Sequence, residues 1–264
     1  FSSCWGLLRP RNRQRPRHDP LGAAVGGYRM NLKDLRVKLF ADGASLSEIE
    51  KACANPHIRG FTTNPTLMRA SWVKDYAEFA HVALSIIGDR PISFEVLADD
   101  FETMGRQALK IAGWGDNVYV KIPITNTKGE PSLPLIRQLS NSGVKVNVTA
   151  VMTSKQIIET AAILDTATDS IISVFAGRIA DAGYNPAPLV NRAVYCSRLH
   201  PQVLWASSRE LLNILQADSA GCDIITLPEA LIAKLNLLGQ SLEERSTDTV
   251  RMFHEDAVKS GYTL

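Results

Sequence analysis

Cysteine is scarce, with only Cys4, Cys53, Cys196 and Cys222, and these show no paired spacing, no CxxC and no zinc pattern with the five scattered histidines. Neither a disulfide framework nor a bound metal is expected, and a reduced compartment is. No apolar run approaches the ~20 residues that a membrane-spanning helix requires, so a membrane partner is not expected either. The glycine patterns that cradle dinucleotides or nucleotide phosphates, GxGxxG and GxxxxGKS/T, are missing, and the turn after the first strand-like run reads ADGAS. A large charge of one sign is missing too. The net charge is +2, and residues 1–30 hold six arginines against a single acid, Asp19, which leaves 23 basic and 26 acidic residues in the remainder. Such a balance describes an ordinary surface and not the footprint of a nucleic-acid binder.

Residues 1–30 also lack apolar periodicity, and Pro10, Pro16, Pro20 and Gly26-Gly27 interrupt them. A stretch of this kind buries too little surface to offset the entropy of ordering it, so a disordered tail is expected. Its arginine-rich, acid-poor composition suits an organellar transit peptide, although a start at Met30, directly before the patterned region, fits as well. Cytoplasmic localisation is the expectation, with an organelle as the alternative. An RNA-binding arm is a third reading, which salt-sensitive RNA retention by the tail would test.

What is present is a regular alternation. Short β-branched runs occur at RVKLFAD (36–42), GFTTN (60–64), PISFEV (91–96), VYVKIPI (118–124), VKVNVTAV (144–151), IISVFAG (171–177), QVLWAS (202–207) and DIITLP (223–228). Amphipathic helical patterns lie between them, among them 46–54, 101–112, 133–142, 154–164, 187–199 and 210–216, with a last one over 242–259. Strands separated by helix-length segments pair in parallel through right-handed crossovers, and eight such units close into a barrel. The expected fold is therefore a single (β/α)8 barrel over residues 31–264 with an additional C-terminal helix. A doubly wound open sheet is the competitor, and the missing phosphate turn argues against it.

Active sites of such barrels lie at the carboxyl ends of the strands, so polar residues there are informative. Nearly every strand ends on one: Asp42, then Thr62 and Asn64, Glu95, Lys121, Asn147 with Thr149, Ser173, and Ser207. Because side chains alternate along a strand, Lys121 shares the face of Tyr119 while Val118, Val120 and Ile122 face the helices. A lysine removed from water without a partner tends to lose its proton, and a neutral amine in an enclosed site attacks carbonyl carbons to form a Schiff base. Lys121 at the solvent end of its strand, paired with Glu95 or Asp42, is the other reading. Imine chemistry also needs groups that move protons, and Asp42 and Glu95 stand where they can. Thr149 could hold a water. Arg178 and Arg209 follow strands six and seven, the region where barrels often hold phosphate, and Ser207 adds a donor.

These residues resemble a known family. Asp42, GFTTNPT (60–66), SFEV around Glu95, VKIP around Lys121, VNVTAV around Thr149, SVFAGR (173–178) and ASSR (206–209) are similar to the transaldolases, class I aldolase-type barrels whose Schiff-base lysine sits on the fourth strand. The resemblance implies that Lys121 forms the imine with a donor ketose, that Glu95 activates a water held by Thr149, and that Asp42 acts on the donor's C4 hydroxyl. It further implies that Asn64 and Asn147 bind the dihydroxyacetone part, with Thr63, Ser173 and Phe175 counted in the same pocket. Arg178, Ser207 and Arg209 would bind phosphate. Sugar phosphates are then the expected partners, homo-oligomers are allowed, and neither cofactor nor metal is required. The sister fructose 6-phosphate aldolases carry Gln and Tyr where this chain has Glu95 and Phe175, which puts the sequence on the transferase side. A non-catalytic sugar-phosphate-binding barrel is the alternative from a different class.

Overall fold

The computed structural model describes residues 32–197 and 200–263. The arginine-rich segment 1–30 lies outside the described residues, as do the last two residues expected of the helix that begins at Ala187. Chain order runs β1 (Lys38–Asp42), α1 (Leu46–Ala54), β2 (Ile58–Thr62), α2 (Pro65–Ala70), α3 (Tyr76–Ile87), β3 (Ile92–Glu95), α4 (Phe101–Ala112), β4 (Val118–Pro123), α5 (Leu133–Asn141) and β5 (Val146–Val151). It continues with α6 (Ser154–Ile163), β6 (Ile171–Val174), α7 (Ala176–Asp181), α8 (Ala187–Cys196), β7 (Gln202–Trp205), α9 (Leu212–Ala220), β8 (Ile224–Pro228), α10 (Glu229–Ile232) and α11 (Leu242–Ser260). All eight strands pair in parallel, each with its sequence neighbours, and β8 returns to β1, so the sheet closes into a TIM barrel.

Local chemistry explains the helix limits. Asp100 starts α4 by accepting the N–H of Thr103 at 2.8 Å, and Met104, Ala108 and Ile111, one face of that helix, are buried against the sheet. Asp75 caps α3 in the same manner, through Glu78 N at 2.9 Å. The last helix, α11, buries none of its side chains, and its ends are set by a capping box of Ser241 with Glu244 and a left-handed Gly261.

Alternation along the strands separates two cores. Val118, Val120 and Ile122 belong to the large layer between sheet and helices, whereas Tyr119 joins Phe40, Ile171, Leu204, Ala206, Ile224 and Phe175 inside the barrel. The parity read for strand four therefore holds. Phe40 fills the lumen across Gly60: a methyl group at that glycine would lie 2.5 Å from the Phe40 ring, closer than packed carbons tolerate.

Several strands end earlier than the sequence suggests, for physical reasons. The strand expected over 60–64 runs Ile58–Thr62, because Asn64 turns to cap α2 ahead of Pro65. Strand six ends at Val174 and strand seven at Trp205, where their ladder ends. Beyond those points Phe175 opens α7 and Ser207 takes a left-handed φ of 63°. Helix α9 begins two residues later than expected and runs on to Gly221, whose left-handed conformation ends it.

Candidate active site

Lys121 is buried at the carboxyl end of the barrel, 6% exposed. β3 and β4 place it in register with Glu95, and its Nζ lies 2.9 Å from Glu95 Oε2. The same Nζ donates to the backbone carbonyl of Thr63 at 2.7 Å. The expectation of a partnerless amine is thus corrected: the lysine is buried, yet a carboxylate and a carbonyl compensate its charge. Paired, hydrogen-bonded charges are the form in which a buried ammonium is tolerated. The pairing with Glu95 is the one the alternative reading named, but the lysine is buried and not at a solvent-exposed strand end.

Asp42 ends β1 on the lumen side. It keeps some open surface toward the mouth but is densely enclosed by protein, and this burial pushes its carboxyl pKa up, with the Lys121 charge and a hydrogen bond from Thr62 acting in the opposite direction. Thr62 Oγ1 donates to Asp42 Oδ1 at 2.8 Å and lies 2.6 Å from the Thr226 hydroxyl. A carboxyl raised by burial beside an amine is the kind of perturbed group that acid–base sites use.

Asn147 is the register partner of Lys121 on β5 and is fully buried. Its Nδ2 donates to Ser93 Oγ at 3.0 Å and its Oδ1 accepts from Ser173 Oγ at 2.7 Å, so hydroxyls on both sides fix the amide. Thr149, two residues on, is 2% exposed, and its Oγ1 finds no protein partner. The next residue, Ala150, has φ 60°, at the point where the β5–β6 register shifts between Val148 and Val151. A left-handed alanine costs about 1–2 kcal/mol, and such bulges re-aim side chains at sites of function.

The remaining expected residues spread along the rim. Thr63 is fully buried, with its hydroxyl on the Ser93 carbonyl and its own carbonyl on Lys121. Asn64 spends its Oδ1 on the N–H of Leu67. Phe175 is half-buried among the lumen side chains at the start of α7. Arg178 is exposed on α7, and Arg209 is ion-paired with Asp181 of the same helix. Backbone contact also ties these two loops: Gly177 N donates to Ala206 O at 3.4 Å, and a methyl group at Gly177 would sit 1.6 Å from the Ser207 carbonyl oxygen.

Three site neighbours escape a reading of strand ends. Ser93 and Thr226 share the inward faces of Glu95 and of the β8 end, a placement that alternation alone could have supplied. Tyr76 could not be found so: it lies on α3, outside the sheet, and only its hydrogen bonds to Glu95 bring it to the site. Among the described residues no group of three or more His, Cys, Asp or Glu side chains is placed to hold a metal ion, and no helix is long and apolar enough to cross a membrane.

The sequence profile of the transaldolase/fructose-6-phosphate aldolase family matches residues 39–264. A protein of Dehalococcoides mccartyi named "Probable transaldolase" is 32% identical over 202 residues, covering 75% of this chain and 90% of that protein. Another so named, from Caldicellulosiruptor saccharolyticus, is 34% identical over 75% of this chain and 89% of its own length. A third, from Thermoanaerobacter, is 32% identical over 86% of this chain and the whole of that protein. Among solved structures, the KGPDC of Streptococcus mutans superposes with a TM-score of 0.52 at 10% identity, over 76% of this chain and 98% of that one, which speaks to the fold alone.

Proposed function

The chain belongs to the transaldolase/fructose-6-phosphate aldolase family, and on that premise we propose that it is a transaldolase that moves a dihydroxyacetone unit from a ketose phosphate to an aldose phosphate. Fructose 6-phosphate or sedoheptulose 7-phosphate would be the donor, in the non-oxidative pentose phosphate pathway. The observation that carries this reading is the buried Lys121 Nζ held 2.9 Å from Glu95 with Asp42 close enough for its charge to be felt.

Transfer of a proton from Lys121 to Glu95 along that contact leaves a neutral amine, which attacks the C2 carbonyl of the ketose. Loss of water then gives the imine, with Glu95 returning a proton to the departing hydroxyl. Asp42 takes the proton of the C4 hydroxyl as the C3–C4 bond breaks. The bonding electrons pass to the imine nitrogen, an aldose phosphate leaves, and an enamine of dihydroxyacetone stays on Lys121. An acceptor aldehyde reverses these events, with Asp42 returning the proton, and water held at Thr149 hydrolyses the final imine. The unpartnered Thr149 hydroxyl supports that place for the water. Asn147, locked between Ser93 and Ser173, would orient the dihydroxyacetone hydroxyls, while Thr63, Asn64, Ser173 and Phe175 line the pocket. Arg178, Ser207 and Arg209 would receive the phosphate.

A close alternative is an aldolase that releases free dihydroxyacetone. Glu95 and a lumen Phe175 without a hydroxyl favour the transferase. Borohydride reduction in the presence of fructose 6-phosphate is expected to add a three-carbon or six-carbon fragment at Lys121 and nothing in Lys121→Met. An unmodified wild-type Lys121 overturns the imine reading. Steady release of dihydroxyacetone without an acceptor would assign the aldolase instead.

A further inference from the structure

β2 and β3 pair over a short stretch, Phe61 with Ile92 and Thr62 with Ser93. One residue further, Thr63 N still donates to Ser93 O at 3.1 Å. In a parallel ladder the Thr63 carbonyl would next accept the N–H of Glu95, since each residue donates to and accepts from positions two apart on its partner. The structure routes both groups elsewhere. The Thr63 carbonyl accepts from Lys121 Nζ at 2.7 Å, while Glu95 N donates to the phenol oxygen of Tyr76 at 2.8 Å. That phenol donates in return to Glu95 O at 2.9 Å. One side-chain oxygen thus occupies the place of an absent strand.

The ring that carries this oxygen is itself fixed. Tyr76 stands edge-on to Phe94 at 6.1 Å and to Trp114 at 5.3 Å, and it is the first residue of α3, anchored by the Asp75 cap. Burial, aided by the nearby Glu95 charge, pushes the phenol pKa up, so the group stays protonated and able both to donate and to accept.

We propose that Tyr76 is a positioning residue for the Lys121–Glu95 pair: its phenol completes the hydrogen bonding of the Glu95 backbone and so leaves the Thr63 carbonyl to hold Lys121. Neither partner of the pair is touched at its reacting atoms. Without the oxygen, the Glu95 N–H loses its acceptor, and closure of the parallel ladder onto the Thr63 carbonyl would draw that carbonyl away from Nζ. The inference builds on the reading of Lys121 as the imine-forming residue.

Tyr76→Phe removes the oxygen and keeps the ring, whereas Tyr76→Leu removes both. In a crystal structure of Tyr76→Phe, Glu95 N is expected on Thr63 O and Nζ displaced from it. The kcat with fructose 6-phosphate and erythrose 4-phosphate is expected to fall roughly ten- to a hundredfold, the order of loss that ångström-scale misplacement causes. KM should stay within about twofold, because ground-state contacts persist. Tyr76→Leu should lose kcat to a similar degree and lose thermal stability as well. If Tyr76→Phe keeps wild-type kcat and only Tyr76→Leu loses it, the ring is there for packing and the inference fails. It fails equally if the Lys121–Thr63 contact is unchanged in the Tyr76→Phe crystal. That crystal comparison decides the positioning even if the wild type forms no borohydride adduct at Lys121, an outcome that would overturn the functional reading separately.

Discussion

Glu95 and Lys121 are register partners across β3 and β4, and their side chains meet at 2.9 Å with the lysine almost fully buried. Glu95→Gln keeps the shape of the side chain and the backbone bonds to Tyr76 but removes the proton acceptor. The variant is expected to form the borohydride adduct at Lys121 slowly while turnover falls about 10²–10⁴-fold, the usual worth of a general acid–base group. Unimpaired turnover would remove Glu95 from the proposed proton path.

Asp42 ties activity and stability in opposite directions. Its folded-state pKa is raised, chiefly by burial, so folding favours the protonated form. The associated stability is complete below the ordinary carboxylate value of 3.8 and is lost as the pH rises through the raised value. Asp42→Asn cannot ionise and escapes this loss. Urea unfolding at a series of pH values should show the variant gaining on the wild type as pH increases, while its carbon–carbon cleavage is abolished. A constant difference across the series would contradict the assignment.

Thr149 offers a cleaner separation of the two properties. Its hydroxyl is buried without a protein partner, and burying an unsatisfied polar group costs about 1–3 kcal/mol. Thr149→Val, nearly the same shape, breaks no hydrogen bond within the protein and should unfold in denaturant within about 1 kcal/mol of the wild type. Turnover should drop roughly a hundredfold if that hydroxyl holds the hydrolytic water. A variant as active as the wild type would leave Thr149 a packing residue.

On the rim, Arg209 is engaged by Asp181, whereas Arg178 is exposed one turn earlier on the same helix. Arg178→Ala and Arg209→Ala are each expected to raise KM for phosphorylated sugars about tenfold, the equivalent of one charge-assisted contact, with smaller effects on kcat. Asp181→Ala releases Arg209 and should lower KM. Competition by inorganic phosphate, weaker in the arginine variants and stronger in Asp181→Ala, checks the same point without turnover.

Much of this architecture was legible because parallel strands buried on both faces read as short β-branched apolar runs, and the helices between them keep a 3.6-residue period. Val118, Val120 and Ile122 had to face the helices, which fixed Tyr119 and Lys121 inward. Strand ends were harder to place. Ser207 and Ala150 take left-handed conformations that no side chain of theirs announces, and Asn64 looked like a strand residue but serves as a helix cap. The pairing of Lys121 with Glu95 was legible as the alternative reading, but its second partner, the carbonyl of Thr63, was not, because backbone groups leave no mark in a sequence. Tyr76 was hidden for a related reason: a tyrosine at the start of an amphipathic helix reads as packing, and its tie to Glu95 arises only where β2 stops short of the end of β3.

If Arg178 and Arg209 bind phosphate as proposed, position 177 limits how the choice of sugar phosphate could be retuned. With the Ser207 carbonyl lying where any β-carbon would go, that site is closed to nineteen of the twenty amino acids, and the arginines on either side of it inherit a fixed spacing. A directed-evolution library aimed at a longer or shorter substrate should therefore vary the reach of those two arms, Arg to Lys or Gln, and leave the joint from which they hang untouched.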